Sequence, residues 1–241
     1  MAETTIILGA GASNGVGGAL ARKFAAQGHH VIVTGRTYAK VEAIAEEIKD
    51  LGGSAEGMQV DVTSEADQDR LFEHAKTKAP IAAVLYNAGN NAIIPFEDLE
   101  PELVEQFWRV GCFGAFLAAK RAIPILAEQG QGSLFFTGAS GSMRGKANFA
   151  HFAMMKAGLR MLSQSLAREY GPKGVHVAHF IIDGVIDGDM VRGRFADYLD
   201  ALGEDGGLVP DAIADSFWNV HTQHRSAWTQ ELDLRPYKEN W

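Results

Sequence analysis

Apolar positions along the chain follow two alternating rhythms. Short and nearly continuous apolar runs occupy Thr5–Leu8, Val31–Thr34, Glu56–Val60, Ala83–Tyr86, Gly132–Thr137 and Val175–Ile182. Runs of that length with no polar alternation predict strands covered on both faces. Between them the apolar positions recur at helical spacing. Gly17–Gln27 carries Leu20, Ala21 and Phe24 on one face, and Thr37–Leu51 carries Val41, Ile44, Ala45 and Ile48 before Gly52-Gly53 ends it. Further helices are predicted from Asp61 to Lys78, over Pro101–Gln129 and over Phe149–Tyr170. After Asp183 the rhythm fades, and a last strand is expected near Thr229–Leu234. Strands that alternate with helices pair in parallel through right-handed crossovers, which puts helices on both faces of one sheet. The expectation is an α/β fold, a three-layer doubly wound parallel sheet, with residues 1–241 as a single domain.

Composition narrows the class of function. The chain has 241 residues, 46% of them hydrophobic, and a formal net charge of −8. An acidic chain with no long basic run is a poor partner for nucleic acid or an anionic membrane. One cysteine, Cys112, excludes a disulfide framework and a thiolate metal cluster, so no metal site is expected. The first residues lack a basic stretch followed by a long apolar one, and no uninterrupted apolar run reaches membrane-spanning length. A cytoplasmic protein with no membrane partner is the expectation.

The first chemical signal is the glycine-rich turn Gly9-Ala10-Gly11-Ala12-Ser13-Asn14-Gly15-Val16-Gly17, set between the first strand and the first helix. Such a turn lets the backbone approach a pyrophosphate and points free N–H groups at it, the arrangement of a Rossmann-type dinucleotide site. Gly11, Ser13, Asn14, Gly15 and Val16 are therefore cofactor-binding candidates. The second strand ends in Thr34-Gly35-Arg36. No carboxylate stands there to accept from ribose hydroxyls, and the planar fork of Arg36 suits a 2′-phosphate. NADP(H) is the expected cofactor, with NAD(H) as the alternative.

Together with Asp61-Val62, Asn87-Ala88-Gly89 and Lys156 in the run AHFAMMKAG, this turn makes the chain resemble the short-chain dehydrogenase/reductase family over nearly its whole length. The resemblance implies that Asp61 and Val62 lie at the adenine, that Asn87, Ala88 and Gly89 line the cofactor, and that Lys156 binds its ribose. It also implies that Gly184, Val185 and Ile186 face the carboxamide. Family chemistry rests on an Asn, a Ser, a Tyr and a Lys. The matching positions here hold Gly111, Ala139, Phe152 and Lys156. A phenyl ring cannot protonate an alkoxide, so ketone reduction by the family's route is expected to be crippled. Ser140, one place after Ala139, and Asp183, after the sixth strand, are candidate replacements; a desolvated Asp183 carboxyl could donate a proton. Tyr86, Lys156 and Cys112 are weaker candidates, and His151 is expected at the surface or in an interface.

Two readings follow. One is an NADP(H)-dependent oxidoreductase with a non-standard site, acting on a small to medium carbonyl or C=N compound; an imine protonated in water needs no alkoxide stabiliser. The other is a non-catalytic dinucleotide-binding protein, either a cofactor sensor or an inactive subunit. The stretch 187–209 resembles the family's substrate lid, and its Arg192 and Arg194 suit a partly apolar anionic substrate. By resemblance, the two long helices imply a homodimer or homotetramer.

Overall fold

A computed structural model describes residues 3–239. Seven strands form one parallel sheet in the order β3-β2-β1-β4-β5-β6-β7: β1 (Thr4–Leu8), β2 (His30–Gly35), β3 (Ser54–Gln59), β4 (Ile81–Tyr86), β5 (Ser133–Thr137), β6 (His176–Ile182) and β7 (Glu231–Leu234). The order turns back at β1, whose neighbours are β2 and β4. That reversal opens a crevice at the carboxyl ends of the strands, the place where ligands bind in sheets of this kind.

Each face of the sheet is closed by helices. Helices α1 (Val16–Ala26), α2 (Tyr38–Asp50) and α8 (Pro210–His221) bury Phe24, Ile44 and Phe217 on one side. Helices α3 (Glu65–Lys76), α5 (Gly114–Gln129) and α6 (Ala150–Tyr170) bury Phe72, Leu126 and Leu159 on the other. The central strands β1 and β4 are buried at every position, which accounts for their continuous apolar runs.

Three expectations need correction. The helix predicted over Pro101–Gln129 is not uniform. Helix α4 (Pro101–Trp108) leads into a π-helical segment, Arg109–Phe113, and then into α5. The apolar period continues through the segment, so periodicity does not report the extra residue. The joined helix is also apolar enough to cross a membrane by length and composition, with mean hydropathy 1.5 over its most apolar window. Its apolar face packs on the sheet through Ala115, Ala118, Ala122 and Leu126. Finally, the chain after Asp183 is largely helical. Helix α7 (Asp189–Leu202), kinked at Phe195 where φ is −140° and ψ is 40°, fills the predicted lid, and α8 follows. The signature of α8 was present: Pro210 at its first position, then Ile213, Ala214, Phe217 and Val220.

Candidate active site

Glycines shape the turn after β1 because nothing larger fits. At Gly9, with φ +102°, a Cβ would lie 2.4 Å from the Ala88 nitrogen; at Gly17 it would lie 2.7 Å from Ala10 Cα. At Gly11 nothing lies within 4 Å of that position, so this side of the turn is open. Gly15 is the N-cap of α1 and carries no side-chain cap, so N–H groups of the first turn remain available to an anion. The turn is held from below: the N–H groups of Gly9 and Ala10 donate to the Thr34 carbonyl, and Asn87 Nδ2 donates to the Gly9 carbonyl at 2.9 Å. These residues fit the phosphate-bearing portion of a dinucleotide.

The side chains around the turn divide into committed and open groups. Ser13 donates to Glu47 and accepts from Arg22 Nη1 at 2.9 Å, so its hydroxyl braces the turn from outside. Neither Glu47 nor Arg22 was signalled by the sequence pattern. Asn14 is exposed, and its carbonyl accepts from the Asp189 N–H at 2.8 Å, tying the start of α7 to the turn. Arg36 is exposed beside Gly35, where a Cβ would strike the Ala10 carbonyl oxygen at 2.5 Å. Asp61 Oδ1 accepts from both the N–H and the hydroxyl of Thr63; Val62 and Ala88 are buried at the same edge. Val185 and Ile186 are zipped to Leu208: the Leu208 N–H donates to the Val185 carbonyl, and Ile186 and Leu208 form a parallel bridge that follows Gly184.

Lys156 is the centre of the second half of the site. It lies on α6, 5% exposed, and its Nζ donates to the Thr137 carbonyl at the end of β5, 2.7 Å away. A Cβ on Gly89 would stand 3.4 Å from the same Nζ, so the amine faces the end of β4 as well. The Phe152 ring centroid is 5.9 Å from it, at cation–π range. Burial lowers the ammonium pKa from its ordinary value to about 8.

Phe152 packs against the short 3-10 turn Ser140–Ser142; a Cβ at Gly141 would meet its ring at 2.9 Å. Ala139 precedes that turn in extended conformation. Ser142 is buried and donates to the Ala139 carbonyl at 2.6 Å, whereas Ser140 opens the turn and its hydroxyl has no hydrogen-bond partner among the described residues. Gly111 lies in the π-helical segment, and Met155 occupies the space beside it: a Cβ at Gly111 would fall 1.9 Å from Met155 Sδ. Periodicity marks Met155 merely as core, so its role in filling this space was not legible.

Several expected roles do not fit. Asp183 is 3% exposed, and both of its carboxylate oxygens accept from Arg144 Nη2, at 3.0 and 2.9 Å; Arg235 Nη2 approaches to 3.6 Å. Its oxygens are committed to guanidinium groups, so it is not the free desolvated acid that was expected. Tyr86 is fully buried and donates to the Val110 carbonyl, which makes it a core residue. His151 is neither at the surface nor free to reach Lys156. It is 1% exposed and packs edge-on against Phe107 with ring centroids 4.4 Å apart. Arg192 of the lid is held by Asp187, at 2.5 and 2.6 Å, and by Asp200. Cys112 is half-buried, 2.9 Å from where a Gly158 Cβ would stand.

With this geometry in view, comparison with known proteins decides the family. The short chain dehydrogenase family profile matches residues 5–199. The chain belongs to the short-chain dehydrogenases. It is 32% identical over 173 residues to a probable 2,4-dienoyl-CoA reductase of Bacillus subtilis, covering 71% of this chain and 68% of that one. It is 30% identical over 187 residues to the 3-oxoacyl-[acyl-carrier-protein] reductase MabA of Mycobacterium tuberculosis, covering 77% and 71%. The uncharacterised oxidoreductase YuxG of Bacillus subtilis is 30% identical over 211 residues; the match covers 86% of this chain but 30% of YuxG, so the chain spans under a third of that relative. Among solved structures, a short-chain dehydrogenase from Rhodopseudomonas palustris superposes with TM-score 0.83 and 32% identity over 98% of this chain and 99% of that one. An actinorhodin polyketide ketoreductase solved with NADPH shares the fold at TM-score 0.88 and 21% identity, covering 100% and 98%.

Proposed function

We propose that this short-chain dehydrogenase is an NADP(H)-dependent oxidoreductase that reduces a small to medium carbonyl or C=N compound, with Lys156 doing the proton work that a phenol does elsewhere in the family. When bound, the coenzyme supplies a hydride. Arg36 beside Gly35 supports the phosphorylated form, as does the fold shared with a reductase that carries NADPH.

The observation that carries the reading is the environment of Lys156. Its amine is buried, is held by one backbone carbonyl, and has its pKa drawn down to about 8. An acid with a pKa near the working pH both holds and releases its proton readily. Around it, Phe152, Ala139 and the Met155-filled space at Gly111 leave little to stabilise a full alkoxide. An oxyanion donor is worth about 10²–10³-fold and a positioned acid about 10²–10⁴-fold. A C=N substrate develops no alkoxide, so it needs no oxyanion donor; Lys156 supplies its proton, and its flat body meets the aromatic wall at Phe152. The reading therefore favours C=N or flat conjugated substrates over simple ketones. Purified protein with NADPH, tested on cyclic imines and matched ketones, checks this: imine turnover should be faster, and faster ketone turnover rejects the preference. A larger thermal shift with NADPH than with NADH should accompany it.

The same packing supports a second reading, a non-catalytic binder, because Met155 closes the space beside Gly111. Tight NADPH binding with no turnover on a broad carbonyl and imine panel selects that reading. Trp108, Phe113 and Phe116 form a stacked row along the α4–α5 run, with centroid separations of 5.5 and 6.1 Å, and Trp108 and Phe116 are exposed. This row supports assembly of the chain with copies of itself through that surface.

A further inference from the structure

We propose that Arg144 reads a carboxylate on the substrate, so that the molecule reduced here is an anion with a flat apolar body lying on Phe152. This deepens the reductase reading and rests on it. Arg144 leaves the turn that packs on Phe152, its N–H donating to the Ser140 carbonyl at 3.1 Å, and its side chain crosses to Asp183 at the end of β6. It thus spans the carboxyl edge of the sheet between the end of β5, whose Thr137 carbonyl accepts from Lys156, and the end of β6.

The mode of pairing matters. Arg160 and Arg192 each use the Nε–Nη2 edge to grip a carboxylate with two parallel bonds. Arg144 uses Nη2 alone for both Asp183 oxygens. Its Nε and Nη1 have no partner among the described residues, and its side chain is 47% exposed. A guanidinium carries five N–H donors in one plane, so a second carboxylate can be held without breaking the first pair.

Neighbouring side chains fit the same ligand. Phe149 and Phe152 form an edge-to-face pair 6.5 Å apart, Lys146 lies 5.7 Å from the Phe149 ring, and Met143 is exposed beside Arg144. An aromatic wall with Lys146 on it and, beside it, the Nε and Nη1 of Arg144, unpartnered among the described residues, offers apolar contact and cationic donors together, in a chain of net charge −8. Arg192 in the lid cannot take this part, since Asp187 and Asp200 already hold it.

The test is a titration of benzoate and benzamide into the protein with and without NADPH, followed by ligand-observed NMR. Benzoate should bind about tenfold more tightly than benzamide, the difference expected from one charge-assisted contact. Arg144→Gln should remove that preference and leave benzamide binding unchanged, while Arg144→Lys, which keeps the charge and loses the fork, should retain part of it. Equal affinities in the unaltered protein, a preference that survives Arg144→Gln, or no benzoate binding at millimolar concentration each overturn the proposal. NADPH association is read separately by its fluorescence. Its failure overturns the reductase reading, while the titration on cofactor-free protein still tests Arg144.

Discussion

The turn after β1 and the cluster around Lys156 lie on the same sheet edge but are built by opposite means. The turn is made of backbone, and its specificity consists of places where a Cβ is forbidden, at Gly9 and Gly17 and at Gly35, the end of β2 that presses on Ala10. The cluster is made of side chains, and one substitution changes its chemistry without disturbing the strands. The two halves can therefore vary independently: apolar side chains line the end around Lys156, while the glycine turn keeps its open backbone. Gly111 and Met155 are a packing pair, one supplying the room that the other fills.

The sharpest way to break this contrast is to restore the reacting end alone. Phe152→Tyr with Ala139→Ser should raise ketone reduction by about 10²–10⁴-fold if the cradle still presents the coenzyme correctly. Steady-state kcat/KM on a panel of ketones reads the gain, and no gain with NADPH still bound would mean the two halves are no longer aligned. The converse experiment damages the cradle. Gly9→Ala puts a methyl group 2.4 Å from a backbone nitrogen at positive φ and should cost about 3 kcal/mol or more in denaturant unfolding, with loss of NADPH binding.

A third test uses the buried amine. The Lys156 pKa is lowered on folding, so the unfolded chain binds the extra proton between about 8 and its ordinary value of 10.5. The penalty is fully present below pH 8 and is relieved as pH rises toward 10.5. At neutral pH, Lys156→Met should be more stable than the unaltered cofactor-free protein by up to about 3 kcal/mol, with the gap closing through that window. Thermal melts across pH read it; a gap constant with pH would contradict the burial argument. The smallest expected effect belongs to the packing pair. Gly111→Asn should cost about 2 kcal/mol by overpacking against Met155, and Met155→Ala should recover part of it, a non-additivity that a double-mutant cycle measures.

How far the residues announced all this follows from the same contrast. Strands β1, β2, β4, β5 and β6 were legible because burial on both faces leaves a continuous apolar run, and the cradle was legible because glycines recur at fixed places. Helix α8 carries its signal openly in Pro210, Ile213, Phe217 and Val220, but the glycines Gly203, Gly206 and Gly207 before it break the rhythm that leads up to it. The π-helical segment and the kink at Phe195 were not legible, since apolar spacing alone does not tell a π turn or a single non-helical residue from a regular α turn. The pairing of Arg144 with Asp183 joins two loops 39 residues apart, and that of Glu47 with Ser13 crosses 34. No local rule connects such distances; the sheet order brings them together. Asp183 looked like a lone acid because its partner was invisible in one dimension.

The π-helical segment has a mechanical consequence. It stores one residue more than an α-helix of the same rise, just where Gly111 meets Met155. Deleting any one of its five residues would let the helix rewind and swing everything upstream by about 100° about the axis. Phe107 would then leave the imidazole of His151 and Trp108 would quit its stack on Phe113, so a single codon separates this winding from a differently faced helix.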